Sequence, residues 1–85
     1  MYIIIVYDIN QKRVNKFCKF LRQYLHWVQN SVFEGEVSES QLLKIKIKLK
    51  ELVKEDDSVI IFMLEKKWIN REIIGKEKNP ISSII

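Results

Sequence analysis

Cross-linking chemistry is nearly absent from this chain. Its 85 residues include one cysteine, Cys18, and one histidine, His26. No intrachain disulfide can form and no Cys/His set has the spacing of a zinc site. The reading is a reducing compartment and a fold held by packing alone. The two glycines, Gly35 and Gly75, stand singly, which excludes a glycine-rich phosphate loop. The single histidine, His26, has no triad spacing with Ser31 and an acid, so a hydrolase triad finds no support. No apolar run approaches the roughly 20 residues that a membrane helix needs. The apolar start has no basic segment before it and is interrupted by Asp8 after seven residues, so it does not read as a signal peptide. The expectation is a soluble, cytoplasmic protein with no membrane association.

The length allows one domain. Such a short chain buries only about 60–65% of its unfolded surface, so its core is thin unless something adds to it. Fifteen basic residues against eleven acidic give a net charge of +4. That excess is modest, and where the charges sit matters more than their sum.

What is present begins with MYIIIVYDINQKR. Residues 2–7 read as a strand apolar on both faces, as a central strand covered on both sides would be. Asn10 is a plausible N-cap for a helix from about Gln11 to Leu25. Val14, Phe17, Cys18, Leu21 and Leu25 fall on one stripe of that helix. Lys12, Lys16 and Lys19 fall on the opposite face, flanked by Arg13 and Arg22. HWVQNSVFEGEV then reads as a hairpin around Asn30-Ser31, with strands near Trp27–Gln29 and Val32–Val37. Ser38-Glu39-Ser40-Gln41 has the form of a capping box. The following KIKIKLK alternates like a strand, yet Leu42, Ile45, Leu49, Leu52 and Val53 form a helical stripe that leaves Ile47 out. Length and cap favour helix. Glu55-Asp56-Asp57 ends it, and residues 58–64 are a second all-apolar strand.

This order, βαββαβ, is that of an α+β ferredoxin-like sandwich. Right-handed crossovers are expected to put the first and last strands, the two all-apolar ones, in the middle of the sheet. The core spans residues 1–64, and residues 65–85 form a C-terminal extension of the same domain. The extension carries Trp68, Ile69, Ile73, Ile74, Ile81, Ile84 and Ile85, too much apolar surface for a free terminus. It either folds back on its own sheet or adds strands to a partner's; exchange in a homodimer is the preferred reading.

Asp8 lies where the first strand meets the first helix, a usual ligand position in sheets with crossover helices. The bland alternative is a helix cap or a dipole partner. The functional one is a hard-metal ligand such as for Mg²⁺, which takes one or two protein carboxylates. A twofold axis nearby would bring two copies of Asp8 together. The basic face of Lys12, Arg13, Lys16, Lys19 and Arg22 is either a solvated helix surface or a track for a phosphate backbone. Lys44, Lys46, Lys48 and Lys50 spread around the second helix and make a weaker case. Cys18 reads as a core residue. VFEGEV lacks the aromatic signature of an RNA-recognition sheet.

Three stretches taken together resemble the CRISPR-associated protein 2 family: Val6-Tyr7-Asp8-Ile9, Arg13-Val14, and Gln29-Asn30-Ser31-Val32-Phe33-Glu34-Gly35. The resemblance runs over essentially the whole chain. It implies a ferredoxin-like homodimer with exchanged C-terminal strands and a divalent metal, usually Mg²⁺, between the two copies of Asp8. It implies a metal-dependent endonuclease acting on single-stranded RNA or double-stranded DNA. It also implies a part in CRISPR adaptation, bridging two integrase dimers on the DNA to be acquired as a spacer. By position the resemblance assigns Tyr7 and Asp8 to the site, Arg13 near the phosphate, and Ser31 and Phe33 to the mouth of the site. Some relatives carry a further Arg just before the Gln of the second strand; here Trp27 and Val28 fill that region. No second acid is an obvious partner for Asp8, so slow catalysis is expected. A non-catalytic duplex-DNA scaffold of the integration complex is the competing class. A regulatory domain for a small ligand is a third, and it leaves the basic helix face without a role.

Overall fold

Asn10 caps the first helix as its position predicts: its side-chain oxygen accepts the Lys12 amide at 2.9 Å, satisfying one of the amides left open at a helix start. The computed structural model describes residues 1–65 and 70–79. Among these the elements are β1 (Tyr2–Asp8), α1 (Gln11–Leu21), β2 (His26–Gln29), β3 (Val32–Glu36), α2 (Glu39–Leu52) and β4 (Ser58–Leu64). The βαββαβ order is the expected one. The KIKIKLK segment is helical, and its start is the capping box: Ser38 Oγ accepts the Gln41 amide at 3.1 Å while Gln41 Oε1 accepts the Ser38 amide at 2.9 Å. Leu42, Ile45 and Leu49 are buried and Ile47 faces out, so the helical stripe prevails over the alternation.

Helix α1 ends at Leu21, short of the expected Leu25. Gln23 and Tyr24 donate to the carbonyls three residues back, at 3.2 and 3.0 Å. This tighter turn drops Leu25 into the core and swings the chain into β2. A Cβ on Gly35 would lie 3.1 Å from Leu25 Cδ2, so the bare glycine on β3 lets that turn approach the sheet.

The strand order is β2-β3-β1-β4, with every neighbouring pair antiparallel. This corrects the expected placement of the last strand. The β2–β3 hairpin sets β3 against one side of β1, and α2 returns the chain to the other side. The central strands are therefore β1 and β3, and β4 is an edge.

Side chains alternate across the sheet. Ile3, Ile5, Tyr7 and Phe33 point to the helices and pack with Phe17, Leu21, Leu25, Leu42, Ile45 and Leu49. The other face carries Tyr2, Ile4 and Val6 of β1. Opposite Ile4 and Val6 on β4 stand Phe62 and Ile60, which remain 51% and 50% exposed. The helices thus cover β1 on one face only, and the second face is apolar along β1 and β4, where Ile60 and Phe62 stay half exposed.

Residues 70–79 lie against the β2–β3 side. Arg71 forms an ion pair with Glu34, a carboxylate that it buries on the sheet face away from the helices. Asn79 Nδ2 donates to the Trp27 carbonyl. Of the residues expected to form exchanged strands, Trp68, Ile69, Ile81, Ile84 and Ile85 lie outside the described residues.

Candidate functional site

Tyr7 and Asp8 are neighbours in sequence and point to opposite faces. The Tyr7 ring is buried between Phe17 and Phe33, with ring centroids 4.9 and 5.8 Å away. Its hydroxyl donates to the Asn30 carbonyl at 3.4 Å and lies 3.3 Å from Cys18 Sγ. Burial raises the phenol's pKa above the ordinary 10.0, and the Cys18 contact adds to the rise. Tyr7 is therefore a neutral core group beneath the strand end.

Asp8 is exposed and has no side-chain hydrogen bond or ion pair to another described residue. It stands on the same face as Ile4 and Val6, paired in register with Ser58 at the start of β4. Asn10, not Asp8, caps α1, so the capping role for this acid is not used. The strand end is held from both sides: the Tyr7 amide donates to the Ser31 carbonyl at 3.0 Å, and the Asn10 amide donates to Asp57 Oδ1 at 2.9 Å.

Ser31 is half-buried in the two-residue hairpin turn beside this strand end, where Asn30 takes a φ of 43°. Asparagine tolerates that left-handed conformation better than most residues. Phe33 differs from the expectation. It is fully buried under Tyr7, so it supports the strand end through packing and does not line the mouth of a site.

Lys12, Lys16, Lys19 and Arg22 are exposed along α1. Arg13 is engaged differently. Its Nε donates to Asp57 Oδ2 at 2.8 Å and its Nη2 to Asp57 Oδ1 at 3.0 Å. Asp57 also accepts the Asn10 and Lys54 amides, at 2.9 and 3.0 Å. Its side chain is 1% exposed. The Arg13 guanidinium, then the two amides, holds the Asp57 carboxyl well below the usual carboxylate range. The same hydrogen bond raises the Arg13 pKa.

Asp57 was missed in the sequence because it reads as one of three acids that end α2. Its role follows only from the pairing of β4 with β1, which carries residue 57 to the start of α1. It is not a second metal carboxylate for Asp8, since each of its oxygens already accepts two donors. Among the described residues no group of three His, Cys, Asp or Glu side chains is placed to hold a metal ion. Asp8 is the carboxylate that β1 presents at this strand end. No helix among the described residues is long and apolar enough to cross a membrane.

The fold has close counterparts. The family model for CRISPR associated protein Cas2 matches residues 1–72. A protein of Thermococcus kodakarensis named CRISPR-associated endoribonuclease Cas2 is 56% identical, with all of both chains covered. One of the same name from Pyrococcus furiosus is 55% identical, again over the whole of both chains. A crystal structure of a Cas2 protein superposes with a TM-score of 0.88 at 50% identity, covering 94% of this chain and 92% of that one. Streptococcus pyogenes Cas2 gives 0.75 at 32% identity, covering 88% of this chain and all of the other. With its βαββαβ sheet, its acid at the end of β1 and matches of this extent, the chain belongs to the Cas2 family of CRISPR-associated proteins.

Proposed function

We propose that the chain works as a homodimer in CRISPR adaptation and is a slow, divalent-metal-dependent endonuclease, with single-stranded RNA as its first candidate substrate. One observation carries this reading: Asp8 is an exposed carboxylate, with no partner among the described residues, at the rim of the half-exposed apolar face of β1 and β4. An acid held rigidly at a strand end without a partner is available to a cation. Covering the apolar face with a second copy about a twofold axis close to the strand ends gathers two such acids.

Asp8 from both protomers would hold Mg²⁺, which prefers few carboxylates and fills its remaining positions with water and phosphate oxygens. When bound, such an ion activates water and neutralises charge on the attacked phosphate. The chain's own residues supply the rest. Tyr7, Phe17 and Phe33 keep the strand end rigid, the Ser31 carbonyl fixes its backbone, and the α1 cations meet the polyanion. RNA is favoured over DNA because the relatives that cover the whole chain bear the name endoribonuclease.

A second role rests on a separate observation, the exposed row of Lys12, Lys16, Lys19 and Arg22. Such a row tracks phosphates without reading bases. It suits a duplex-DNA scaffold that integrase dimers grip during spacer acquisition, and that role needs no cleavage.

Asp8→Asn separates the two. The change keeps shape and removes charge at an exposed site. The nuclease reading expects Mg²⁺-dependent cleavage of RNA to vanish while duplex binding persists. Cleavage that survives in rigorously purified mutant removes Asp8 from the chemistry. Equal inactivity of wild type and mutant, with both binding duplex, leaves the scaffold role alone.

A further inference from the structure

The Arg13–Asp57 pair has a geometry that a purely structural ion pair does not require. Asp57 takes the side-on edge of the guanidinium, Nε and one N–H of Nη2. A guanidinium has five N–H donors, so five less two leaves three, on Nη1 and the outer side of Nη2. None of these has a partner among the described residues. Asp57 is sealed at 1% exposure, whereas Arg13 keeps 30%. The free edge is the end-on fork that fits two phosphate oxygens. Arg13 also sits next to Lys12 and one helical turn from Lys16, both exposed.

We propose that Asp57 is a positioning residue. It clamps Arg13 side-on so that the end-on fork stands ready for a backbone phosphate, and through the Asn10 amide it fixes that fork relative to the Asp8 strand end. The proposal rests on the nucleic-acid reading above. It assigns a binding function to an acid in a basic surface, and this gives it a sign that simple electrostatics does not share. Deleting a negative charge near a phosphate site should tighten binding by charge alone. Loss of the clamp should weaken it, because a freed arginine must be ordered again on each encounter.

The test is a double-mutant cycle of Asp57→Asn and Arg13→Lys, read as affinity for one fluorescent single-stranded RNA and one DNA duplex at fixed salt. Thermal unfolding is followed in parallel. Asp57→Asn is expected to weaken binding about three- to tenfold, as is Arg13→Lys alone. In the Asp57→Asn background, Arg13→Lys should cost less than about twofold, because coupled residues are not additive. A role limited to stability would lower the unfolding temperature and leave the cost of Arg13→Lys undiminished. Tighter binding by Asp57→Asn overturns the clamp. So does an Arg13→Lys variant that binds like wild type, although the nucleic-acid reading survives that result. Wild type that binds neither probe ends both.

A measurement on unmutated protein covers the case in which the variants fail to fold. In ¹⁵N NMR the Arg13 Nε–H should stay protected from solvent before and after RNA is added, while the Nη signals shift. Release of Nε–H on binding would show that Asp57 lets go, contradicting the proposal.

Discussion

Replacing Phe62 with Ser should dissociate the proposed dimer while sparing the fold of each chain. Phe62 lies on the open sheet face opposite Ile4 and is 51% exposed in the single chain. A phenylalanine buries roughly 200 Å², so about 100 Å² remains for a partner to cover. At about 25 cal/mol per Å² that amounts to about 2.5 kcal/mol per copy. A twofold interface counts each substitution twice, giving about 5 kcal/mol, or between three and four powers of ten in Kd. Association does not convert area in full, so the expected weakening is at least about 100-fold. Sedimentation velocity over a concentration series reads it directly. Leu43→Ser is the control: Leu43 is 58% exposed but belongs to α2, in the layer on the opposite side of the sheet, and its loss should leave Kd unchanged. If Phe62→Ser dimerises like wild type, the open face is not the interface, and the gathering of two Asp8 residues loses its basis.

Reversing Lys16 and Lys19 to Glu should weaken duplex binding similarly for unrelated sequences, with the salt slope shrinking by about 0.9 per lost contact; unchanged slope returns them to a solvated helix face. Tyr7→Phe should retain RNA cleavage, because the hydroxyl points into the core. Its long hydrogen bonds are worth at most about 1 kcal/mol. The fold raises the Tyr7 pKa, so its contribution is whole below the ordinary value of 10.0 and fades as pH climbs towards the folded value. Wild type should therefore lose stability above about pH 10 relative to Tyr7→Phe, by chemical denaturation at stepped pH. Asp57 has the opposite sign: its folded pKa is depressed, so its contribution is present above the ordinary 3.8 and is lost as pH falls below it. Acid titration of Asp57→Asn should lack that part of the loss.

The elements that were legible in the sequence are those whose signals are local. The Asn10 cap, the Ser38 capping box and the Asn30-Ser31 turn each depend on groups within a few residues. The apolar runs of β1 and β4 were legible for the same reason. The place of β4 was not, because an apolar run marks burial on both faces without saying what does the burying. At the edge, β4 keeps Ile60 and Phe62 half exposed in the single chain, so the run marks a strand that α1 and α2 cover on one face only. The exposed place of Asp8 at the end of β1 was legible from the break between an apolar strand and a basic helix. Phe33 was displaced from the mouth of the site to the core because its β3 position pairs with Ile5 on the helix side. The clamp on Arg13 joins residues 44 apart in the chain, and the buried Glu34 finds Arg71 from beyond the sheet. Partners at such separations leave no periodicity to read.

The central claim is that two protomers share one cation through their Asp8 side chains. Calorimetric titration of metal-free protein with Mn²⁺, a spectroscopically visible substitute for Mg²⁺, measures it most directly, with electron paramagnetic resonance on the same samples. The account predicts one tight Mn²⁺ per two chains in wild type, none in Asp8→Asn, and no tight site in monomeric Phe62→Ser. One ion per chain, or a site that persists in Asp8→Asn, would contradict it.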